Sequence, residues 1–138
     1  MPGWSKSSQA KLDTCDPRII EILDIVVKHH DCKVLWGHRT EQQQNDLYDQ
    51  IPRVTHKKWP DSKHNSLPSI AVDVAPWPIP HKWGKDWIHR VKFYELKAAI
   101  FLTAAQLGYT IRWGGDWDMD KDYTDNTFND LVHFEVLD

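Results

Sequence analysis

The sequence has little of what marks several large classes of protein. Its 138 residues include only two cysteines, too few for a disulfide scaffold, and no apolar run approaches the ~18 residues of a membrane span. With 17 basic against 20 acidic residues, the chain lacks the basic excess of nucleic-acid-binding proteins. Tryptophan and histidine, in contrast, occur eight times each. We expect a globular domain that neither binds nucleic acid nor inserts stably into a membrane.

The two cysteines flank a segment with the pattern of a helix. Asp16 suits the N-cap, Pro17 suits the first turn, and apolar residues follow at helical spacing. Such a helix would separate Cys15 from Cys32 by roughly 20 Å, well beyond the ~7 Å that a disulfide allows between Cα atoms. We therefore expect two free thiols, as in a protein made in a reducing compartment.

Capping signals and apolar spacing predict two further helices. Thr40, with Gln43 three residues later, forms a capping box for a helix that begins at Glu41. A longer helix begins near Trp87 and ends before Gly108, a residue typical of helix ends. Its apolar residues step by three and four and predict one buried face: Trp87, Val91, Tyr94, Ala98, Phe101 and Ala105.

Four runs have the pattern of strands, and a long loop, 51–67, separates the first two. Long loops in compact domains are usually functional. Because the later strands lie close along the chain, they can pair as neighbours. We expect an α+β fold: a single compact domain over residues 1–138, with a small, mainly antiparallel sheet packed against helices. The runs are Lys33–Arg39, Ser69–Ala75, Tyr109–Trp113 and Leu131–Leu137.

Asp73 stands out because it interrupts an apolar run. A carboxylate there is costly unless it is paired or bound to a metal, and the alternative is an edge strand that turns it to water. Strand alternation likewise puts His133 and Glu135 on one face of the last strand. Catalytic zinc commonly takes three His, Asp or Glu ligands, a count that His64, Asp73 and His133 satisfy, although spacing alone does not prove the site.

Four short segments occur in the order found in one family of zinc peptidases. They resemble motifs of the D-alanyl-D-alanine carboxypeptidases and L-alanyl-D-glutamate endopeptidases, which include small phage endolysins and share a fold with the Hedgehog signalling domain. The resemblance covers most of the chain and implies that fold. The segments are Gly37–Thr40, Ser62–Pro76, Trp113–Trp117 and Asp130–Glu135.

The resemblance also implies roles for five residues. His64, Asp73 and His133 are the implied zinc ligands, Asp130 is the catalytic base, and Arg39 stabilises the substrate. An aspartate as the base is similar to the endopeptidase branch. The resemblance thus implies a phage endolysin that cleaves the L-alanyl-D-glutamate bond of bacterial peptidoglycan. A D-Ala-D-Ala carboxypeptidase and a non-catalytic, zinc-containing wall-binding module are the alternatives.

Further residues are candidates for contact with the substrate. His38 neighbours Arg39, so we expect it to line the site. Trp77, Trp113 and Trp117 are candidates for the walls of the cleft, with core packing as the alternative.

An acidic loop near the C-terminus admits three interpretations. Its alternating carboxylates are hard oxygen ligands suited to Ca²⁺, but Lys121 occupies the position where an EF-hand loop has glycine. A solvated loop, a calcium site and contact with the substrate all remain open. The carboxylates proposed for calcium are Asp116, Asp118, Asp120 and Asp122.

The N-terminal segment lacks the apolar stretch of a secretion signal. We therefore expect synthesis in the host cytoplasm and action on the cell wall after release by another agent, such as a phage holin. Peptidoglycan is the expected partner, and a monomer is the expected state.

Overall fold

Four strands form one antiparallel sheet in the computed structural model, which describes residues 3–121 and 130–138. The order across the sheet is β1-β2-β4-β3, so β2 and β4 are interior strands. The predicted α+β architecture, with its small antiparallel sheet, is confirmed. The strands are β1 (Cys32–Trp36), β2 (Ala71–Pro76), β3 (Thr110–Gly114) and β4 (Asp130–Leu137).

Four α-helices and two short 3-10 helices, Lys63–Asn65 and His81–Gly84, complete the described elements. The predicted caps are confirmed: the Asp16 side chain accepts from the backbone N–H of Arg18, and Thr40 begins its helix with a capping box. The first helix, capped by Ser5, was not predicted, since its short sequence is mostly polar. The α-helices are α1 (Lys6–Leu12), α2 (Pro17–Val26), α3 (Glu41–Asp49) and α4 (Trp87–Leu107).

The predicted buried face of α4 is wrong, although Gly108 ends the helix as expected, with φ 82°. Trp87 is 70% exposed, and Tyr94 only packs partly against the core. Apolar side chains occur on several sides of α4, so their spacing did not single out the face that packs inward. The side chains of α4 that are buried belong to Phe93, Leu96, Ile100, Thr103 and Ala104.

Alternation along the two interior strands separates the core from the site. Val72 and Val74 of β2, with Phe134 of β4, join the hydrophobic core together with residues of α2 and α4. Asp73 points to the other face, where His133 lies opposite it across the strand pair. Because β2 is interior and Asp73 is buried, the edge-strand interpretation of this carboxylate is excluded.

Both cysteines are free and buried, as predicted. Burial raises the pKa of the Cys15 and Cys32 thiols to about 12. Across residues 3–121 and 130–138, no helix has the length and apolar character needed to cross a bilayer.

Candidate active site

The three predicted metal ligands converge on one buried cluster. His64 Nε2 lies 3.2 Å from Asp73 Oδ1, and His133 Nδ1 lies 3.3 Å from the same oxygen. The candidate ligand atoms are all within 4.8 Å of one another. The fold brings these three side chains together. Asp73 and His133 are register partners on β2 and β4, and a short 3-10 helix before β2 carries His64.

His64 is oriented by the chain around it. The Ser62 side chain accepts a hydrogen bond from the His64 backbone N–H, and that fixes the 3-10 turn. The Nδ1–H of the ring donates to the carbonyl oxygen of Gly37, at 2.8 Å. Since a carbonyl only accepts, Nδ1 carries a proton, and Nε2 faces Asp73 Oδ1.

His133 is oriented in the same way by a carboxylate. Its Nε2–H donates to Glu135 Oε1 at 2.9 Å, and Glu135 Oε2 accepts from Arg112 at 2.8 Å. Although burial alone would lower it, hydrogen bonds to Asp73 and Glu135 raise the pKa of His133 to about 9. The Nδ1 position therefore attracts positive charge, which either a proton or a metal ion can provide.

Asp73 is shared between the imidazoles and a guanidinium. Arg39 donates from a terminal nitrogen to Asp73 Oδ2 at 2.9 Å, which leaves Oδ1 to the two histidines. Against the effect of burial, His64 and His133 hold the pKa of Asp73 well below its usual range. The Arg39 guanidinium also lies over the Trp36 ring, 4.9 Å from its centroid.

Asp130 begins β4 at the edge of the same cavity. Gly114 lies opposite it on β3, and a Cβ there would collide with the Asp130 carbonyl oxygen at 2.0 Å, so the close approach requires glycine. Burial and the nearby Asp73 carboxylate raise the pKa of Asp130 to about 6. A carboxyl group with such a pKa exchanges protons readily near neutral pH.

A cavity of about 720 Å³ opens onto the cluster. Three tryptophans contribute to its wall: Trp36, Trp83 and Trp117. The Trp117 ring lies beside His133, with their centroids 5.3 Å apart. Sequence reasoning included Trp117 but missed Trp36 and Trp83, because neither belongs to a recognisable motif.

Three residues expected at the cleft lie elsewhere. Trp113 is fully buried in the core, where its indole N–H donates to the Leu131 carbonyl. Trp113 lies two residues after the apolar Ile111, so both side chains belong to the same face of the strand. Both are buried, and this spacing was a usable signal that Trp113 packs in the core. Trp77 packs under the Lys33 ammonium, and His38 contacts the Ser66 carbonyl. None of the three is among the described residues that line the cavity.

Part of the acidic loop forms a second cluster. Carboxylate oxygens of Asp116, Asp118 and Asp120 lie within 4.8 Å of one another, whereas Asp122 lies outside the described residues. Asp116 is only 6% exposed, and its Oδ1 atom finds no hydrogen-bond donor within the described part of the chain. Desolvation and the carboxylates of Asp120 and Asp116 raise the pKa of Asp118.

Comparison with known proteins gives a consistent result. Residues 3–137 match the family model of the phage L-alanyl-D-glutamate peptidases. The sequence is 27% identical over 125 residues to the L-alanyl-D-glutamate peptidase of Escherichia phage T5, which covers 88% of this chain and 86% of that protein. The fold is similar to the crystal structure of the Serratia marcescens L-Ala D-Glu endopeptidase ChiX, with a TM-score of 0.67, 20% identity, and coverage of 97% of this chain and 89% of that one.

Proposed function

The chain belongs to the family of phage L-alanyl-D-glutamate peptidases, which are peptidoglycan hydrolases, and we propose that it is a zinc-dependent endopeptidase of the peptide stem. The bond hydrolysed is that between L-alanine and D-glutamate. The observation that carries the metal dependence is the convergence of His64, Asp73 and His133 beside a cavity large enough for a substrate.

The donor set fits zinc. Two imidazole nitrogens and one carboxylate oxygen are a common ligand set for catalytic zinc, and the proposed ligand atoms are His64 Nε2, Asp73 Oδ1 and His133 Nδ1. The remaining ring N–H groups donate to Gly37 and Glu135, as the outer hydrogen bonds of metal-binding histidines usually do. Zinc in such a site supplies Lewis acidity, which polarises a carbonyl and lowers the pKa of water.

Asp130 is proposed to move the proton. It lines the same cavity as the ligands, and its pKa of about 6 lets it accept a proton from the attacking water. The water oxygen bonds to the scissile carbonyl carbon, the C–N bond then breaks, and Asp130 delivers the proton to the leaving amine of D-glutamate. The same carboxyl group therefore serves as base and then as acid.

Arg39 is proposed to stabilise negative charge on the substrate, either the oxyanion or a carboxylate. Its ion pair with Asp73 and its position over Trp36 fix the guanidinium in the cavity wall. The same ion pair orients Asp73 through Oδ2, a contribution that sequence reasoning did not include.

Calcium is proposed as a second cofactor, bound by Asp116, Asp118 and Asp120. The buried Asp116 Oδ1 atom favours this assignment over a merely solvated loop, because a buried carboxylate oxygen without a donor is costly. A bound cation would also remove the repulsion among the three carboxylates.

Family membership supports an endolysin made in the cytoplasm of the infected host, which acts on the wall after release. We propose that it works as a monomer, with all candidate catalytic groups contributed by one chain.

The decisive test is the product. Purified peptidoglycan is digested, and the new termini are identified by mass spectrometry. The proposal expects new N-terminal D-glutamate, with L-alanine left on the glycan-linked lactyl group. Free D-alanine as the sole product would establish the carboxypeptidase alternative, and binding to the wall without cleavage would establish the binding module. Asp130→Asn serves as the inactive control.

A further inference from the structure

Trp83 has a backbone conformation that bulky residues rarely adopt. Lys82 and Trp83 have φ values of 51° and 54°, and Gly84 follows with φ 74°. Glycine adopts this left-handed region without cost, but a side chain with a Cβ is strained there. Strain of this kind persists where the surrounding structure imposes it, and it is concentrated at binding and catalytic sites.

The segment around Trp83 is held firmly. The Trp83 backbone N–H donates to the Pro80 carbonyl at 3.0 Å, and the Arg90 Nε–H from α4 donates to the Gly84 carbonyl at the same distance. Gly84 also lies so close to Phe93 that a Cβ there would be 2.8 Å from its ring. These contacts hold the turn against α4 and thereby fix the position of the Trp83 backbone.

The Trp83 indole makes few contacts with the described part of the protein, although its backbone is strained. It is 51% exposed and lines the cavity above the ligand cluster. No hydrogen bond or ring contact of the indole occurs within residues 3–121 and 130–138. Trp113 is the opposite case, fully buried and stacked on Phe134. Trp83 therefore belongs to the exposed wall of the cavity and not to the hydrophobic core.

The substrate brings a sugar close to the scissile bond. L-alanine is the first residue of the stem and is joined to the lactyl group of N-acetylmuramic acid. At about 3.5 Å per residue, the sugar ring lies within roughly 10 Å of the scissile carbonyl. A cavity of about 720 Å³ is of the size that holds a drug-sized ligand, so it has room for more than the two residues flanking the bond.

We propose that Trp83 is the platform on which the sugar ring of the substrate packs, an inference that rests on the proposed function. One face of a pyranose ring is a patch of C–H groups, which suits an exposed indole. The carboxylates of the stem peptide suit other groups in the wall, since Lys57 and Lys63 line the same cavity with cationic side chains. The cavity thus has separate surfaces for the glycan and for the peptide.

The test compares two substrates with the same stem peptide. One carries N-acetylmuramic acid on the L-alanine nitrogen, and the other carries only an acetyl group. For Trp83→Ala, we expect KM for the sugar-bearing substrate to rise roughly tenfold, with KM for the acetyl peptide and kcat for both unchanged within about twofold. Trp83→Phe should recover most of the affinity. Trp87→Ala, which removes an exposed tryptophan outside the cavity lining, should match wild type.

Equal rises in KM for both substrates would show that Trp83 contacts the peptide, and no rise for either would show that it contacts nothing; both results overturn the proposal. Failure of the wild-type enzyme to cleave either substrate would instead overturn the proposed function. The platform is then tested without turnover, by titrating the peptide-free disaccharide and following the indole N–H resonance of Trp83 by NMR. A chemical-shift change of the Trp83 indole N–H, with the Trp87 resonance unmoved, supports the platform, and an unmoved Trp83 resonance overturns it.

Discussion

The ligand cluster on the sheet and the acidic cluster on the loop differ in how much of their geometry the protein fixes before any ion arrives. His64, Asp73 and His133 are buried, and each is held by a further hydrogen bond from the fold. In the loop, Asp118 and Asp120 are exposed, and only Asp116 is buried.

For the two proposed metal sites, this difference predicts different behaviour. A rigid set of donors selects an ion by geometry and holds it ready for chemistry. Exposed carboxylates brought together on a loop repel one another until a cation binds, so that binding and local stability are linked. We therefore expect loss of activity when the sheet cluster is damaged, and a smaller change in stability when the loop cluster is damaged.

The largest expected effect is loss of metal from the sheet cluster. Wild type should bind one zinc ion at this cluster, and His133→Ala and Asp73→Asn should lose most of the zinc together with the activity, because two donors hold zinc far more weakly than three. Metal content is measured by mass spectrometry after dialysis. His29→Ala, an exposed histidine beyond α2, is the matched control and should keep both. Full zinc occupancy in His133→Ala would remove that residue from the site.

Replacing the proposed base should separate chemistry from binding. Asp130→Asn should keep zinc and a native melting temperature, while kcat falls by about 10²–10⁴, the usual contribution of a positioned acid–base group. An amide is nearly the same size but cannot accept the proton. Retained activity would assign the role of base to another group, with Glu135 as the next candidate. Loss of zinc in Asp130→Asn would assign it to the ligands.

The group that orients His133 should have an intermediate effect. Glu135→Gln removes the negative charge that receives the Nε2–H, and zinc affinity should fall by about 10–100-fold, as expected for outer hydrogen-bonding partners of metal ligands. Competition with a chelator measures the affinity. Glu95→Gln, an exposed carboxylate on α4, is the control. Unchanged affinity would mean that the tautomer of His133 does not depend on Glu135.

The smallest expected effect is on the loop. Calcium at a hundredfold excess over its dissociation constant should stabilise wild type by about 2.7 kcal/mol, measured by thermal unfolding. Asp118→Asn combined with Asp120→Asn should erase that gain, whereas Asp49→Asn on α3 should not. If calcium leaves the melting temperature and activity of wild type unchanged, the loop is simply solvated.

Local signals in the sequence were enough for most elements but not for the buried face of α4. Asp16 and Thr40 predicted where their helices begin, because an N-cap is a hydrogen bond between residues close in sequence. Likewise, alternation assigned the two faces of β2 correctly around Asp73. The buried side of α4 depends on which surface the sheet and α2 offer, and so the spacing of its apolar residues selected the wrong one.

The candidate site shows the same division. The residue types and the order of the motifs predicted the cluster of His64, Asp73 and His133. Strand alternation had already put Glu135 on the same face as His133, which it orients. The groups that orient His64 and Asp73 could not be predicted, because their hydrogen bonds join positions far apart in the chain. The Gly37 carbonyl carries no signature of its own, and the contact of Arg39 with Asp73 exists only once β1 lies beside β2.

The position of β4 within the sheet also sets when activity can appear during protein synthesis. This strand carries Asp130 and His133, yet it is inserted between β2 and β3, which the ribosome has already made. Domains fold largely as units, so a nascent chain that stops short of β4 lacks both a central strand and two groups of the site. Translation products that end before β4 are therefore expected to be inactive, and peptidase activity is expected only from chains that include this strand.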